Sequence, residues 1–229
     1  MDIYIGIDDT DNKESRGTGY LARVIAGKLS QTYSVQGILR HQLLFDPRVP
    51  YTAKNSCAAI LLSTPTEPDL SLIMDEVEAY MLADFQPGSD PGLCVASAIP
   101  PAIIDFGRLA QVDLVHQSTA RQLAQDHQML LRGLGGTQDG VIGALSAVGL
   151  AYSGQDGRYI QLGSIRELTG LQPIENLLQA GLHSVRTVDE NPVTSGSVMA
   201  DKLRPARRFG QPILYVQQEN DYWLPLKLD

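Results

Sequence analysis

Three carboxylates fall within four residues, at Asp8, Asp9 and Asp11, around Thr10. They close the alternating run DIYIGID, which reads as a strand. Like charges so placed repel one another. A solvated turn with an N-cap tolerates that arrangement. A divalent cation reverses the sign of the problem, because Mg²⁺ takes one or two carboxylates together with substrate phosphates. Gly17-Thr18-Gly19 then opens a helix. A helix N-terminus offers unpaired N–H groups and the positive end of its dipole to an anion. Carboxylates and helix start together favour a metal–phosphate site, with Asp8, Asp9 and Asp11 as metal ligands and Gly17 and Gly19 beside the phosphate.

A glycine-rich stretch, Gly133-Leu134-Gly135-Gly136-Thr137-Gln138-Asp139-Gly140, precedes the apolar run VIGALSAVGLAY. Glycines let the backbone approach a ligand, and the following helix directs its N–H groups at the loop, so Gly135, Gly136 and Gly140 are candidate phosphate contacts. A flexible connector has the same composition. The stretch is neither a Walker A loop nor a dinucleotide fingerprint after a strand. The loop from Asp46 to Asn55 carries Arg48, Lys54 and Asn55, which suit phosphate or ribose, although an exposed connection reads equally well. Asp90-Pro91-Gly92 reads as a plain turn before a strand. His127 falls on the apolar face of its helix and reads as a core histidine, and no histidine has metal-ligand spacing. Cys57 and Cys94 sit in apolar runs and read as small buried hydrophobes. Lys202, Arg204, Arg207 and Arg208 form the one dense basic cluster, a solvated run or an anion or RNA contact.

These residues must be held by an α+β fold. Residues 2–8, 34–46, 56–63 and 93–98 read as strands. Helical spacing runs through Leu21, Val24, Ile25 and Leu29, and again through Leu70, Ile73, Met74, Val77 and Met81. The order β-α-β-β-α-β is the split βαβ arrangement of ferredoxin-like units. Pro100-Pro101 closes it, giving a first unit at 1–99 with the carboxylate turn and a second α+β unit at 100–229 with the glycine-rich loop. In the second, Ala120 to Leu131 reads as one amphipathic helix, and ELTGLQPIENLLQAG as a helix broken near Pro173.

The chain has 229 residues, 43% hydrophobic and 19% charged, which excludes collagen-like, coiled-coil and wholly disordered classes. No apolar run suffices to span a bilayer, and the N-terminus lacks a basic region followed by an apolar stretch, so a cytoplasmic protein is expected. Eighteen basic against 26 acidic residues give a net charge of −8, which excludes a large nucleic-acid footprint but not a local one.

IGIDDTD, with the Gly-Thr helix start and Tyr20-Leu21-Ala22, resembles the N-terminus of the tRNA-Ile agmatidine synthetase family. DPRVPYTAKNSCAA, SDPGLCVA, GTQDGVIGALSAVGL, LHSVRTVDE and FGQPILYVQQEND resemble its later motifs, in order. The resemblance implies an atypical kinase-like architecture with a ferredoxin-like partner. It implies ATP and Mg²⁺ as cofactors, Asp8, Asp9 and Asp11 as the carboxylates that hold them, and Thr18 as the threonine autophosphorylated in that family. It also implies activation of a tRNA cytidine for attack by agmatine. Gly19 stands where the family has a second threonine, and Leu44 where it tends to have arginine. The family's OB-fold and zinc-ribbon domains are expected to be absent from these 229 residues, so a tRNA or small nucleotide substrate would come through a separate RNA-binding partner. The alternative is a non-catalytic paralogue that binds a nucleotide or a protein.

Overall fold

The computed structural model describes residues 1–49 and 54–227. Pro50, Tyr51, Thr52 and Ala53 of the expected Asp46–Asn55 loop lie outside the described residues. The chain opens with β1 (Asp2–Asp8), α1 (Thr18–Leu29), β2 (Ser34–Gln42), β3 (Ser56–Ser63), α2 (Leu70–Ala83) and β4 (Gly92–Ala96). Their spatial order is β4-β1-β3-β2, every neighbour antiparallel. That order is what two crossovers joined by a β2–β3 connection produce. α3 (Pro101–Val112), α4 (Gln117–Asp126), β5 (Leu130–Gly133) and α5 (Val141–Ser153) follow, and β5 extends the sheet beyond β4.

Beyond β2 the sheet continues through β6 (Arg158–Gln161). A 3₁₀ turn at Ile165–Glu167, β7 (Leu171–Pro173), α6 (Ile174–Gln179), β8 (Ser184–Arg186) and β9 (Ser197–Met199) come next in the chain. β10 (Ala206–Arg208), β11 (Gln211–Glu219) and β12 (Tyr222–Pro225) complete it. The path β5-β4-β1-β3-β2-β6-β10-β11-β12-β9-β7, with β8 parallel to β11, makes one mixed sheet. With six α-helices among the described residues, the fold is α+β. No described helix is long and apolar enough to cross a membrane.

The central strands are covered on both faces, which is why SCAAILLS reads as a continuous apolar run. Ala58, Ile60 and Leu62 face α1 and α2, together with Ile3, Ile5 and Ile7. Cys57, Ala59 and Leu61 face α3 and α5. The α5 side is lined by small residues, and the reason is geometric. A Cβ on Gly6 would lie 2.0 Å from the Ala144 carbonyl oxygen, so α5 rests on the backbone of β1. α5 is buried all round, as expected of an apolar helix without a polar face. Cys57 and Cys94 are both buried and free, and burial pushes the Cys94 thiol up to about 12.

Several local expectations differ from the structure. Pro100-Pro101 starts α3, with Pro101 at the first helical position, where its missing N–H costs nothing. The amphipathic helix ends at Asp126, Gln128 adopts a left-handed φ of 54°, and Leu130 and Leu131 pair with Val95 and Cys94 as strand β5. Helical periodicity cannot register such an exit, because the sheet edge supplies the partner. His127 caps that helix and is exposed, so it is not a core histidine. The 167–181 stretch resolves into the end of a 3₁₀ turn, the short strand β7 and the six-residue α6.

Candidate active site

β1 delivers the carboxylate turn from the middle of the sheet. Asp8, its last residue, pairs with Gly92 of β4 and directs its side chain at the N-terminus of α5. A Cβ on Gly143 would fall 1.8 Å from Asp8 Oδ2, and one on Gly140 would fall 2.4 Å from the Asp90 carbonyl oxygen. The glycines of GVIGA thus let a helix end, two strands and a carboxylate share one small space. Asp9 follows with a φ of 49°, a left-handed conformation that asparagine and aspartate tolerate better than most side chains. It carries the chain out of the sheet.

The site is dominated by negative charge in a desolvated setting. Burial, then the charges of Asp9 and Asp11, push Asp8 up to about 7, although the Asp9 N–H bonds to the carboxylate. Burial, then Asp90, Asp11 and Asp139, push Asp9 up to about 6. Asp90 and Asp139 therefore belong to the same acidic group. Neither stands out in the sequence, since one lies in an ordinary Asp-Pro-Gly turn and the other in a glycine-rich loop. The Asp90 carboxylate accepts from the Thr137 N–H at 2.5 Å, and the Asp90 carbonyl accepts from the Gly140 N–H at 2.9 Å. These bonds pin the glycine-rich loop against the turn. They also occupy N–H groups that a phosphate cradle would leave open. Gly136 backs onto Asp90 and Gly135 onto Phe85, each within the reach of an absent Cβ.

Thr18 begins α1 after the N-cap Gly17 and is buried. Its hydroxyl accepts from the buried Thr10 hydroxyl at 3.1 Å and donates to Asp11 Oδ1 at 3.0 Å. Asn12 Oδ1 accepts from the N–H groups of Glu14 and Ser15, which shapes the chain between Asp11 and Gly17. A hydroxyl aimed at a carboxylate is the arrangement of a nucleophile beside its base.

Cavities lie on the two sides of this turn. One of about 290 Å³ is lined by Asp8, Asp9, Asn55, Asp139, Gly140 and Gly143 over an apolar floor of Leu43, Val115 and Ile142. The other, of about 530 Å³, is lined by Asp11, Gly17, Thr18, Gly19 and Lys54, with Arg23, Arg40 and Arg158. Asn55 also bonds the Leu44 carbonyl at 2.8 Å, so it braces its loop as well. Arg48 is folded onto Asp46, whose carboxyl the hydrogen-bonded guanidinium holds down at about 2. Gly135 and Gly136 line neither cavity. Sequence reasoning misses Arg23, Arg40 and Arg158. Arg23 lies five positions beyond Thr18 on α1, and the other two sit in strands whose pairing the sequence does not give.

Among the described residues, no three Asp, Glu, His or Cys side chains converge into a metal-binding set. The donors fit Mg²⁺ in its less demanding mode, since it accepts one or two carboxylates and completes its shell with phosphate and water. The raised Asp8 and Asp9 show charge that such a cation would relieve.

No family model matches the chain. It is 27% identical over 153 residues to TiaS, the isoleucine-tRNA 2-agmatinylcytidine synthetase of Cenarchaeum symbiosum, covering 66% of this chain and 34% of that protein. It is likewise 27% identical over 152 residues to the uncharacterized protein MJ0921 of Methanocaldococcus jannaschii, covering 65% of this chain and 50% of that one. The chain thus spans about a third to a half of the length of these curated relatives. Among solved structures, the complex of TiaS with its tRNA and ATP superposes with a TM-score of 0.58 at 24% identity, over 65% of this chain and 36% of the other. The complex of TiaS with its tRNA, AMPCPP and agmatine does so with 0.56 at 23% identity, over 65% and 36%. Over about two thirds of its length, the chain is TiaS-like in sequence and fold, a partial relative of the tRNA-Ile agmatidine synthetase family.

Proposed function

We propose that the protein binds a nucleoside triphosphate with Mg²⁺ at the Asp8–Asp11 turn and transfers phosphate. The relatives it resembles include a tRNA-modifying synthetase crystallised with ATP. The single observation that carries the reading is the placing of Thr18. Its hydroxyl donates to Asp11 at 3.0 Å, at the edge of a cavity that also presents Arg23, Arg40, Lys54 and Arg158. Asp11 would take the Thr18 proton as that oxygen attacks the γ-phosphorus, the bond to the β-phosphate oxygen breaks and the nucleoside diphosphate leaves, while the arginines and Lys54 offset charge on the phosphate oxygens. Asp8 and Asp9 would hold Mg²⁺, which supplies charge neutralisation when bound. Gly17 and Gly19 leave the first turn of α1 open to the phosphate. Gly140 lies between the acidic turn and α5, and Gly135 and Gly136 shape the loop behind it. Beyond Thr18, the acceptor is a tRNA or a small nucleotide.

The test is calorimetric titration of Mg-ATP into wild type and Asp9→Asn, paired with transfer of labelled γ-phosphate to wild type and Thr18→Ala. The expected result is binding lost in Asp9→Asn and label lost in Thr18→Ala. Equal Mg-ATP affinity in Asp9→Asn overturns the metal site. Binding without label on Thr18 or on any acceptor leaves a nucleotide-binding paralogue.

A further inference from the structure

A third cavity, of about 700 Å³, opens between β6, the 3₁₀ turn and the segment before β10. Five cations reach it: Arg23 from α1, Arg158 from β6, Arg166 from the 3₁₀ turn, and Lys202 and Arg204 from the last segment. Asp201 is the one carboxylate among the described residues that line it, and the Gly170 N–H bonds to that group at 3.1 Å. Among the described residues, Arg23, Arg166, Lys202 and Arg204 form no salt bridge. Arg166 is anchored, donating to the Ile160 carbonyl at 2.8 Å. Burial, then the Arg166 charge, push the Arg23 guanidinium below its ordinary range. Five converging cations outnumber the carboxylate of Asp201 and repel each other, and guanidinium groups are shaped to bind phosphate through paired N–H donors.

The lining also includes the apolar Ile160, Ile165, Leu168 and Leu203. Volume and lining suit a small molecule with a charged and an uncharged end rather than a strand running over a surface. We infer that this cavity is a second anion site, which takes a nucleotide-sized organic phosphate carrying two or more charges, without a metal and apart from the acidic turn. It stands whether or not the turn transfers phosphate. Arg23 and Arg158 line both this cavity and the one beside Thr18, so occupancy here bears on the cations facing Thr18.

The test uses the whole chain and ADP as probe, in EDTA so that metal-dependent binding is silent. Isothermal titration compares wild type, Arg166→Gln/Arg204→Gln and Asp9→Asn. The expected result is one ADP per chain, weakened at least tenfold in the double variant and changed less than twofold in Asp9→Asn. Because Arg166 also holds a backbone carbonyl, Lys202→Gln/Arg204→Gln serves as a second variant that leaves that bond intact, with at least fivefold weakening expected. Affinity unchanged in a folded double variant, affinity lost in Asp9→Asn, or no saturable binding overturns the site. A six-nucleotide RNA that binds through Arg166 and Arg204 where ADP does not overturns it in favour of an RNA track.

Discussion

Replacing Asp8 by asparagine should stabilise the metal-free protein while destroying its affinity for a metal-bound nucleotide. The side chain stands at about 7 in the fold against an ordinary 3.8, raised by burial first and by Asp9 and Asp11 after it. The folded state therefore holds the Asp8 proton more tightly than the unfolded chain does. Its contribution to stability is full below about pH 4 and is lost as pH rises towards 7. A rise of that size corresponds to about 4 kcal/mol of penalty at pH 8, at roughly 1.36 kcal/mol for each tenfold change in proton affinity. The N-terminus of α5 faces the carboxylate, and a helix dipole at such a place offsets about 1–2 kcal/mol of that. Asparagine keeps the shape and the oxygen but not the charge, so the net gain at pH 8 is about 2–3 kcal/mol. For a chain of this length that raises Tm by roughly 5–10 °C. Thermal unfolding of both proteins in EDTA at pH 5 and pH 8 measures it. The advantage of Asp8→Asn should grow by about 2 kcal/mol across that interval. Adding Mg²⁺ and nucleotide should stabilise wild type alone. A variant no more stable at pH 8, or an advantage that does not grow with pH, would refute the claim that buried like charge dominates this turn.

Gly143→Ala puts a methyl where Asp8 Oδ2 now lies, 1.8 Å from the new carbon, so the carboxylate or α5 must move. Overpacking of this kind costs about 1–3 kcal/mol, and Mg-ATP affinity measured by calorimetry should fall with it. Arg207→Ala removes bonds to the Ala151 carbonyl at 2.9 Å, the Tyr159 hydroxyl at 2.9 Å and the Gly210 carbonyl at 2.8 Å. Denaturant unfolding should show a loss of about 2–4 kcal/mol, since bonds to a charged donor are worth about 1.5–3 kcal/mol each and do not add fully. Asp156→Ala leaves His41, fully buried and bonded to Asp156 at 2.6 Å, without that partner, and denaturant unfolding should show a loss of about 1–3 kcal/mol. Burial raises Asp156, but the His41 bond and charge, with Gln111 and Arg208, outweigh it and hold the carboxyl below its ordinary value. The stability that the Asp156 carboxylate contributes should therefore be present above about pH 4 and fade as pH falls below it, which acid unfolding of wild type and Asp156→Ala measures.

Much of the fold was written in local patterns. The isoleucine-rich β1, the amphipathic α1 and α2, and the small-residue β3 each announce their class because the layer above and below them is regular. The acidic turn was legible for the same reason, as three like charges in four residues have few structural uses. Residues contributed by distant elements were not. Asp90 and Asp139 join the turn only because β4 pairs with β1 and the loop before α5 folds back onto Asp90. Nothing in Asp-Pro-Gly marks that. The same holds for β5, whose leucines follow a helix closely enough to continue its pattern until the edge of the sheet claims them.

The basic cluster shows why charge density along a chain is a poor guide to a surface. Lys202, Arg204, Arg207 and Arg208 lie within seven positions, yet the fold sends them to different tasks. Lys202 and Arg204 enter the third cavity, ahead of β10. Arg207 turns inward and ties α5, β6 and the turn before β11 together. Arg208, next along β10 and so on the opposite face, lines a cavity beside Asp156. A four-contact phosphate footprint thus cannot form from these residues, and a salt slope for RNA binding set by this cluster alone should be shallower than the roughly −3 to −4 that four contacts allow. The cations that do converge come from α1, β6, the 3₁₀ turn and the last segment, spread over 182 sequence positions from Arg23 to Arg204. They meet because β6 pairs with β2 and brings Arg158 alongside the helix that carries Thr18. The net charge of the chain fixes its far field, whereas the pairing of two strands fixes where an anion can bind.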